Sequence, residues 1–431
     1  MRAPALLGSL SILVSTGVLL GACSSVVEDA RTSSGATSTS GSTTTTGVGG
    51  GGTSAVSTAA VTTTAGVGGA GGSGAGGLAE IPYPAPHPGM PQIPSNGGAV
   101  LKAPVIVTVT FPGDALATQE QKFDAEVGGL KWWSTVHDSY GVGPATSGGN
   151  VVLADPPATT MSANELEIWL QDRITDGTLP APTDQVIYAL YLPITSTITF
   201  DPNQGGGSLC QEFLGFHSSI NAQTPGGVVP AAYAVIGQCG DINNVTETAS
   251  HEFTEAATDP HPINGKPAFV HLKNSPWTTL GGEDGDMCSG VSGVVENGWS
   301  LTRVWNNPSA AEGNQPCVPV PDPVNGEVLP YFNAAIVHDT LKASPGETVS
   351  TEVDCYSFGP LPNDMTLVGQ AFSKKNLTFS FDKDTCKNGD IVTMSITVGP
   401  GAKSATDYHY SLLAQLDANT MHAWRAMVHV K

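Results

Sequence analysis

Six cysteines follow residue 200, at Cys210, Cys239, Cys288, Cys317, Cys355 and Cys386, and they restrict the folds open to this chain more than any other feature. Their number is even and no two stand in C-x-x-C spacing, so disulfides are expected rather than a metal cluster. Many connectivities are open to six cysteines. Sequential pairing is the expectation, because each neighbouring pair lies within one predicted structural unit. Each bridge would add roughly 3 kcal/mol by restricting the unfolded chain.

The N terminus points the same way. Arg2 precedes an apolar run from Ala5 to Leu20, and Leu20, Gly21 and Ala22 lead directly to Cys23. A short apolar run closed by small residues is a secretory signal and not a membrane span. Residues 1–22 are therefore expected to be a lipoprotein signal peptide, with Cys23 the lipidated residue of a bacterial lipobox. Acyl chains anchor by about 0.8 kcal/mol per buried methylene, so membrane contact is expected through the lipid alone. Ser24 and Ser25 follow with no aspartate, which directs the chain to the outer membrane or cell surface. Residues 23–80 are dominated by Ser, Thr, Gly and Ala, a composition that buries no core and forms a disordered tether. The formal net charge is -21 and the basic residues are scattered, which excludes nucleic acid as a partner.

Two folded parts are expected beyond the tether, 81–320 and 321–431. The first opens with a proline-rich lead-in, "IPYPAPHPGMPQIP", expected to run extended against the domain surface. Strands are predicted at 103–111, 150–154, 185–192 and 231–239, and a helix over 117–133. Ser162 with Glu165 forms a capping box that opens another helix, whose face is Leu166, Trp169, Leu170 and Ile174. This mixture predicts an α+β or α/β domain. After residue 320 the segments alternate apolar and polar residues between turns, which predicts an immunoglobulin-like β-sandwich bridged by Cys355 and Cys386.

The chemistry-bearing segment is "SHEFTEAATDPHP", Ser250 to Pro262. Asn244 and Glu247 form a second capping box, and Asp259-Pro260 ends the helix. At 100° per residue, Val245, Ala249, Phe253, Ala256 and Ala257 share one arc, with Thr248, His251, Glu252 and Glu255 opposite. His251 and Glu255, one turn apart, can hold zinc while Glu252 takes a proton from water. The competing expectation is an ordinary solvated polar face. "GGEDGDMC", Gly281 to Cys288, offers Glu283, Asp284 and Asp286, of which Glu283 and Asp286 are the candidates for the missing third ligand; the competing expectations are a solvated acidic turn or a calcium loop. His261, ten residues after His251, is a weaker ligand candidate in a proline-flanked loop. His217 carries no motif, and whether it is structural or near the site is left open.

"SHEFTEAATDP", "GEDGDMC" and "LTRVWNN" with Cys317 together resemble a group of secreted bacterial and fungal proteins. Those proteins share an H-E-x-x-E helix running into T-D-P and a later G-E-x-G-D-x-C segment. "FHSSINAQTPGGVVPAAYAVI" is more distantly similar to the plant EXORDIUM, or phosphate-induced, proteins. The resemblance spans roughly residues 100–320. It implies a zincin-like domain with His251 and Glu255 as zinc ligands, Glu252 as base, and Glu283 and Asp286 in the matching acidic segment.

Two functions are consistent with this pattern. One is a surface-anchored zinc metallopeptidase acting on peptide or protein substrates. The other is a non-catalytic adhesion lipoprotein that binds extracellular matrix or polysaccharide, its carboxylates structural or holding calcium. A serine hydrolase is disfavoured, because no G-x-S-x-G occurs in the folded region.

Overall fold

The computed structural model describes residues 80–155, 158–201, 206–270, 275–320, 329–372 and 376–431. The signal peptide, Cys23 and the Ser/Thr/Gly-rich stretch lie outside the described residues. The described chain is mostly β, with few helices.

The first part is built on Val105–Thr110 (β1), Ala117–Glu126 (α1), Lys131–His137 (α2) and Thr146–Val152 (β2). Thr160–Ser162 (β3), Ala163–Thr175 (α3), Val186–Leu192 (β4) and Thr197–Thr199 (β5) follow, then Gly215–Thr224 (β6), Gly227–Gly237 (β7) and Ile242–Thr258 (α4). A five-stranded sheet runs β2-β1-β4-β7-β6, and every pairing in it is parallel except β6 with β7. Every residue of β4 is buried, as a central parallel strand covered on both faces requires.

One expectation needs correction here. The helix expected over 117–133 is broken by a turn at Val127–Gly129. A side chain on Gly128 would lie 2.3 Å from the Ala145 carbonyl oxygen, so this crossing needs glycine. The proline-rich lead-in packs against the domain as expected. Ala85, Met90 and Ile93 are buried, and Met90 N donates to Ala310 O at 2.7 Å. The Ser162–Glu165 capping box is present as expected.

Beyond α4 come Val294–Glu296 (β8), Trp299–Leu301 (β9), Val304–Trp305 (β10), Asn307–Ala311 (α5) and Cys317–Val318 (β11). The rest of the chain forms two sheets. One contains Phe332–Ile336 (β12), while Thr340–Ala343 (β13) belongs to the other and Thr348–Ser357 (β14) returns to the first. Met365–Ala371 (β15), Leu377–Phe381 (β16), Thr385–Cys386 (β17), Ile391–Val398 (β18), Thr406–Gln415 (β19) and Met421–Val430 (β20) complete them. The orders are β12-β14-β18-β16 and β13-β20-β19-β15-β17. Buried and open positions alternate along β18, the pattern of a strand with one face on a core. All three disulfides pair sequentially: Cys210–Cys239, Cys288–Cys317 and Cys355–Cys386, the last joining β14 to β17 across the two sheets.

Candidate metal centre

Helix α4 starts earlier than its sequence suggests. Asp241, not Asn244, is the cap, its side chain accepting from Asn243 N and Asn244 N at 3.1 Å each. The apolar arc is buried as expected, with Phe253 stacked on Phe123 at 6.3 Å. The polar arc is buried as well: Thr248, His251, Glu252 and Glu255 are all at most 2% exposed. A solvated polar face is thereby excluded.

Strand β6 and the acidic loop cover that arc. Gly215 lets β6 lie close to the helix, since a Cβ there would meet Glu252 Oε1 at 2.7 Å and Thr248 Cγ2 at 2.8 Å. The strand aims His217 at the helix. On the loop side, Gly285 approaches Glu255 Oε1 and His251 Cε1, which a Cβ would meet at 2.9 and 3.0 Å. Asp286 N donates to Glu255 Oε1 at 3.1 Å, and Thr258 Oγ1 donates to Asp284 Oδ1 at 3.0 Å. Trp305 N donates to Asp284 O at 2.8 Å, and the Cys288–Cys317 disulfide pins the loop's end. The loop is thus held at both ends against α4 and β10.

These elements bring candidate ligand atoms together in two groups that share Glu255. In the first, His251 Nε2 is 3.1 Å from Glu255 Oε1 and 3.6 Å from Asp286 Oδ1. Ligands 2.0–2.1 Å from a tetrahedral ion are about 3.4 Å apart, so this spacing fits one. In the second, His217 Nδ1 is 3.4 Å from Glu255 Oε2 and 4.0 Å from Glu252 Oε2. Glu283 Oε1 lies 3.7 Å from the other ring nitrogen of His217.

The electrostatics call for a cation. Glu252, Glu255, Glu283, Asp284 and Asp286 are all buried, and no Lys or Arg pairs with any of them among the described residues. Neither carboxylate oxygen of Glu252 accepts a hydrogen bond, nor do Glu255 Oε2, Glu283 Oε2, Asp284 Oδ2 or Asp286 Oδ2. Burying such groups without partners is costly. Burial accordingly pushes the Glu252 and Glu283 carboxyls well above the usual range, and raises Asp284 and Asp286 to about 7. Burial acts on Glu255 too, but the two histidines beside it, His251 and His217, outweigh it and hold that carboxyl at about 2. These acidic and histidine groups could hold a metal ion.

Of the residues singled out in the sequence, the fold gathers His251, Glu252, Glu255, Glu283 and Asp286 at one place. His261 is not among them and belongs to neither group of ligand atoms. The chain turns away after Thr258: Asp259 Oδ1 accepts from Ala268 N at 2.8 Å, and Gly265 packs on the Cβ of His261. His217 is the residue that motif reading could not place. Its only signal is a histidine near the start of β6, a strand that pairs with β7.

No protein-family description matches this sequence, and no curated protein does. Among solved structures, S-layer protein SbsC domains 4 and 5 align at 9% identity, covering 26% of this chain and 58% of that one, with a TM-score of 0.19. The sixth cohesin of Acetivibrio cellulolyticus scaffoldin B aligns at 14% identity over 23% of this chain and 99% of its own, at 0.15. A family 123 glycoside hydrolase from Clostridium perfringens aligns at 14% identity over 21% of this chain and 22% of its own, at 0.17. Likenesses this slight carry no argument about fold or function.

Proposed function

We propose that this chain is a zinc-dependent peptidase of the cell surface. One observation carries the reading: His251 Nε2, Glu255 Oε1 and Asp286 Oδ1 stand at ligand spacing while the buried, unpartnered Glu252 carboxylate lies beside them. Imidazole nitrogen with carboxylate oxygen favours zinc over calcium, which prefers oxygen ligands throughout. The mixed sheet beneath a helix bearing H-E-x-x-E supports a zincin-like fold for 81–320, and the two sheets after it support an immunoglobulin-like sandwich. Three disulfides support folding in an oxidising compartment, in keeping with export and a lipid anchor at Cys23.

Bound there, zinc would polarise a water molecule and a peptide carbonyl. Glu252 supplies the rest, taking the water's proton and delivering it to the leaving amine. His217 and Glu283 stand behind Glu252 and Glu255 and fix where those carboxylates point.

A second reading has an observation of its own. Glu252 is 0% exposed and Glu283, the most open donor, only 5%. Closed metal sites are structural, whereas catalytic ones keep a position open. On that reading the ion staples α4 to the acidic loop in a non-catalytic surface protein that binds matrix or polysaccharide.

The test uses protein from residue 81 onward, loaded with zinc and screened against a peptide library beside Glu252→Gln. Cleavage that falls about a hundredfold or more in the variant is expected. Zinc held tightly with no cleavage of any peptide would leave the structural reading standing, and failure to retain zinc would sink both.

A further inference from the structure

We infer that the centre has a second ion position, with Glu255 bridging the two. This deepens the proposed metal reading and rests on it. Glu255 is placed between the two histidines, one carboxylate oxygen to each: Oε1 faces His251 at 3.1 Å and Oε2 faces His217 at 3.4 Å. A carboxylate that spans two ions about 3.5–4 Å apart is the usual core of a two-metal hydrolytic site.

The second position has a full set of donors of its own. His217 Nδ1, Glu255 Oε2 and Glu252 Oε2 form a separate group of candidate ligand atoms, all from buried residues. His217 is 3% exposed, and the carboxylate oxygens its ring nitrogens face stand 3.4, 3.7 and 4.0 Å away, longer than firm hydrogen bonds. Its Nε2 points toward Glu283 Oε1 at 3.7 Å. A carboxylate behind the far nitrogen is the arrangement that orients a metal-bound imidazole, leaving Nδ1 for the ion. A single ion at the first position would leave His217 and Glu252 facing each other at 4.0 Å with neither an ion nor a firm hydrogen bond between them.

At the second position Glu252 lends Oε2 to the ion and keeps Oε1 for the proton, so its replacement should change the metal content as well as the activity.

The experiment is zinc stoichiometry by elemental analysis on untagged protein from residue 81 onward. It compares conservative variants, His217→Asn, Asp286→Asn, Glu252→Gln and Glu255→Gln, each checked for native circular dichroism. Two zinc ions per chain are expected in the wild type. His217→Asn, Glu252→Gln and Asp286→Asn should each retain one, and Glu255→Gln should fall below one. Cobalt-loaded wild type gives an independent readout, because paired ions couple magnetically and a lone ion does not. One zinc per chain, unchanged in His217→Asn and uncoupled with cobalt, would overturn the second position while leaving the single-ion reading intact. No retained zinc at all would remove both.

Discussion

At the residue scale, burial of charge is the dominant theme, and it extends beyond the metal centre. Glu120 and Asp124 on α1 are buried under the same sheet. Gln238 Nε2 donates to Glu120 Oε1 at 2.8 Å, and Tyr191 donates its hydroxyl to Asp124 Oδ1 at 2.6 Å. Burial, reinforced by the charge of Asp114, raises Glu120 to about 9, and burial raises Asp124 to about 7. The folded state therefore keeps protons that the unfolded chain releases near 4. Stability from these groups is complete below about pH 4 and is lost as pH climbs through 7 and then 9. Glu120→Gln keeps the shape and the contact with Gln238 but removes the ionisation. It should flatten the loss and be about 2 kcal/mol more stable than wild type at pH 9, measured by denaturant melts across pH. An unchanged pH profile would refute this account. The sequence showed neither group as special, because an acidic residue on a helix gives no sign of what will cover it. His217 was obscure for the same reason: its meaning depends on α4, which is packed on it from elsewhere in the chain.

At the element scale, α4 shows what periodicity can and cannot reveal. Its C-terminal end, its apolar arc and the one-turn spacing of His251 and Glu255 are legible from residue order alone. Its cap was misread because Asp241 and Asn244 are both good capping residues, and only the placed backbone shows Asp241 accepting from two amides. Asp241→Ala should cost about 1 kcal/mol in a thermal melt. The burial of the polar arc was not legible, because periodicity separates two faces without saying what lies against each. Gly285 provides a sharper test of that packing. Gly285→Ala places a methyl against Glu255 and His251 with little room to yield. Zinc affinity, followed by competition with a chromogenic chelator, should fall about tenfold or more while the helix content is unchanged. Affinity equal to wild type would mean that the loop does not close on the helix as described.

At the scale of the whole molecule, the sequence suggests a division near residue 320, where composition changes. The packing crosses that point. Residues 81–431 cluster as one compact unit, and one apolar core runs from Phe253 and Trp277 to Tyr356 and Trp424. Trp277 meets Trp424 edge-on at 5.8 Å, His87 stacks on Tyr356 at 3.6 Å, and Tyr356 donates its hydroxyl to Gly313 O at 2.7 Å. The lead-in joins the contact, as Asn388 Nδ2 donates to Pro82 O at 2.9 Å. Composition changes at a boundary in the chain, but aromatic residues on either side of it carry no mark of being partners. A seam this apolar should couple the two parts thermodynamically. Protein from residue 81 onward should unfold in one calorimetric transition, and Trp424→Ala should lower it as a whole, by about 3–5 kcal/mol. A fragment ending at residue 320 should melt well below the full unit and bind a hydrophobic dye. Two separate transitions, with Trp424→Ala shifting only the later one, would show the sandwich to be an independent passenger. If the transitions are coupled, the sandwich is part of the scaffold that holds the metal centre in shape.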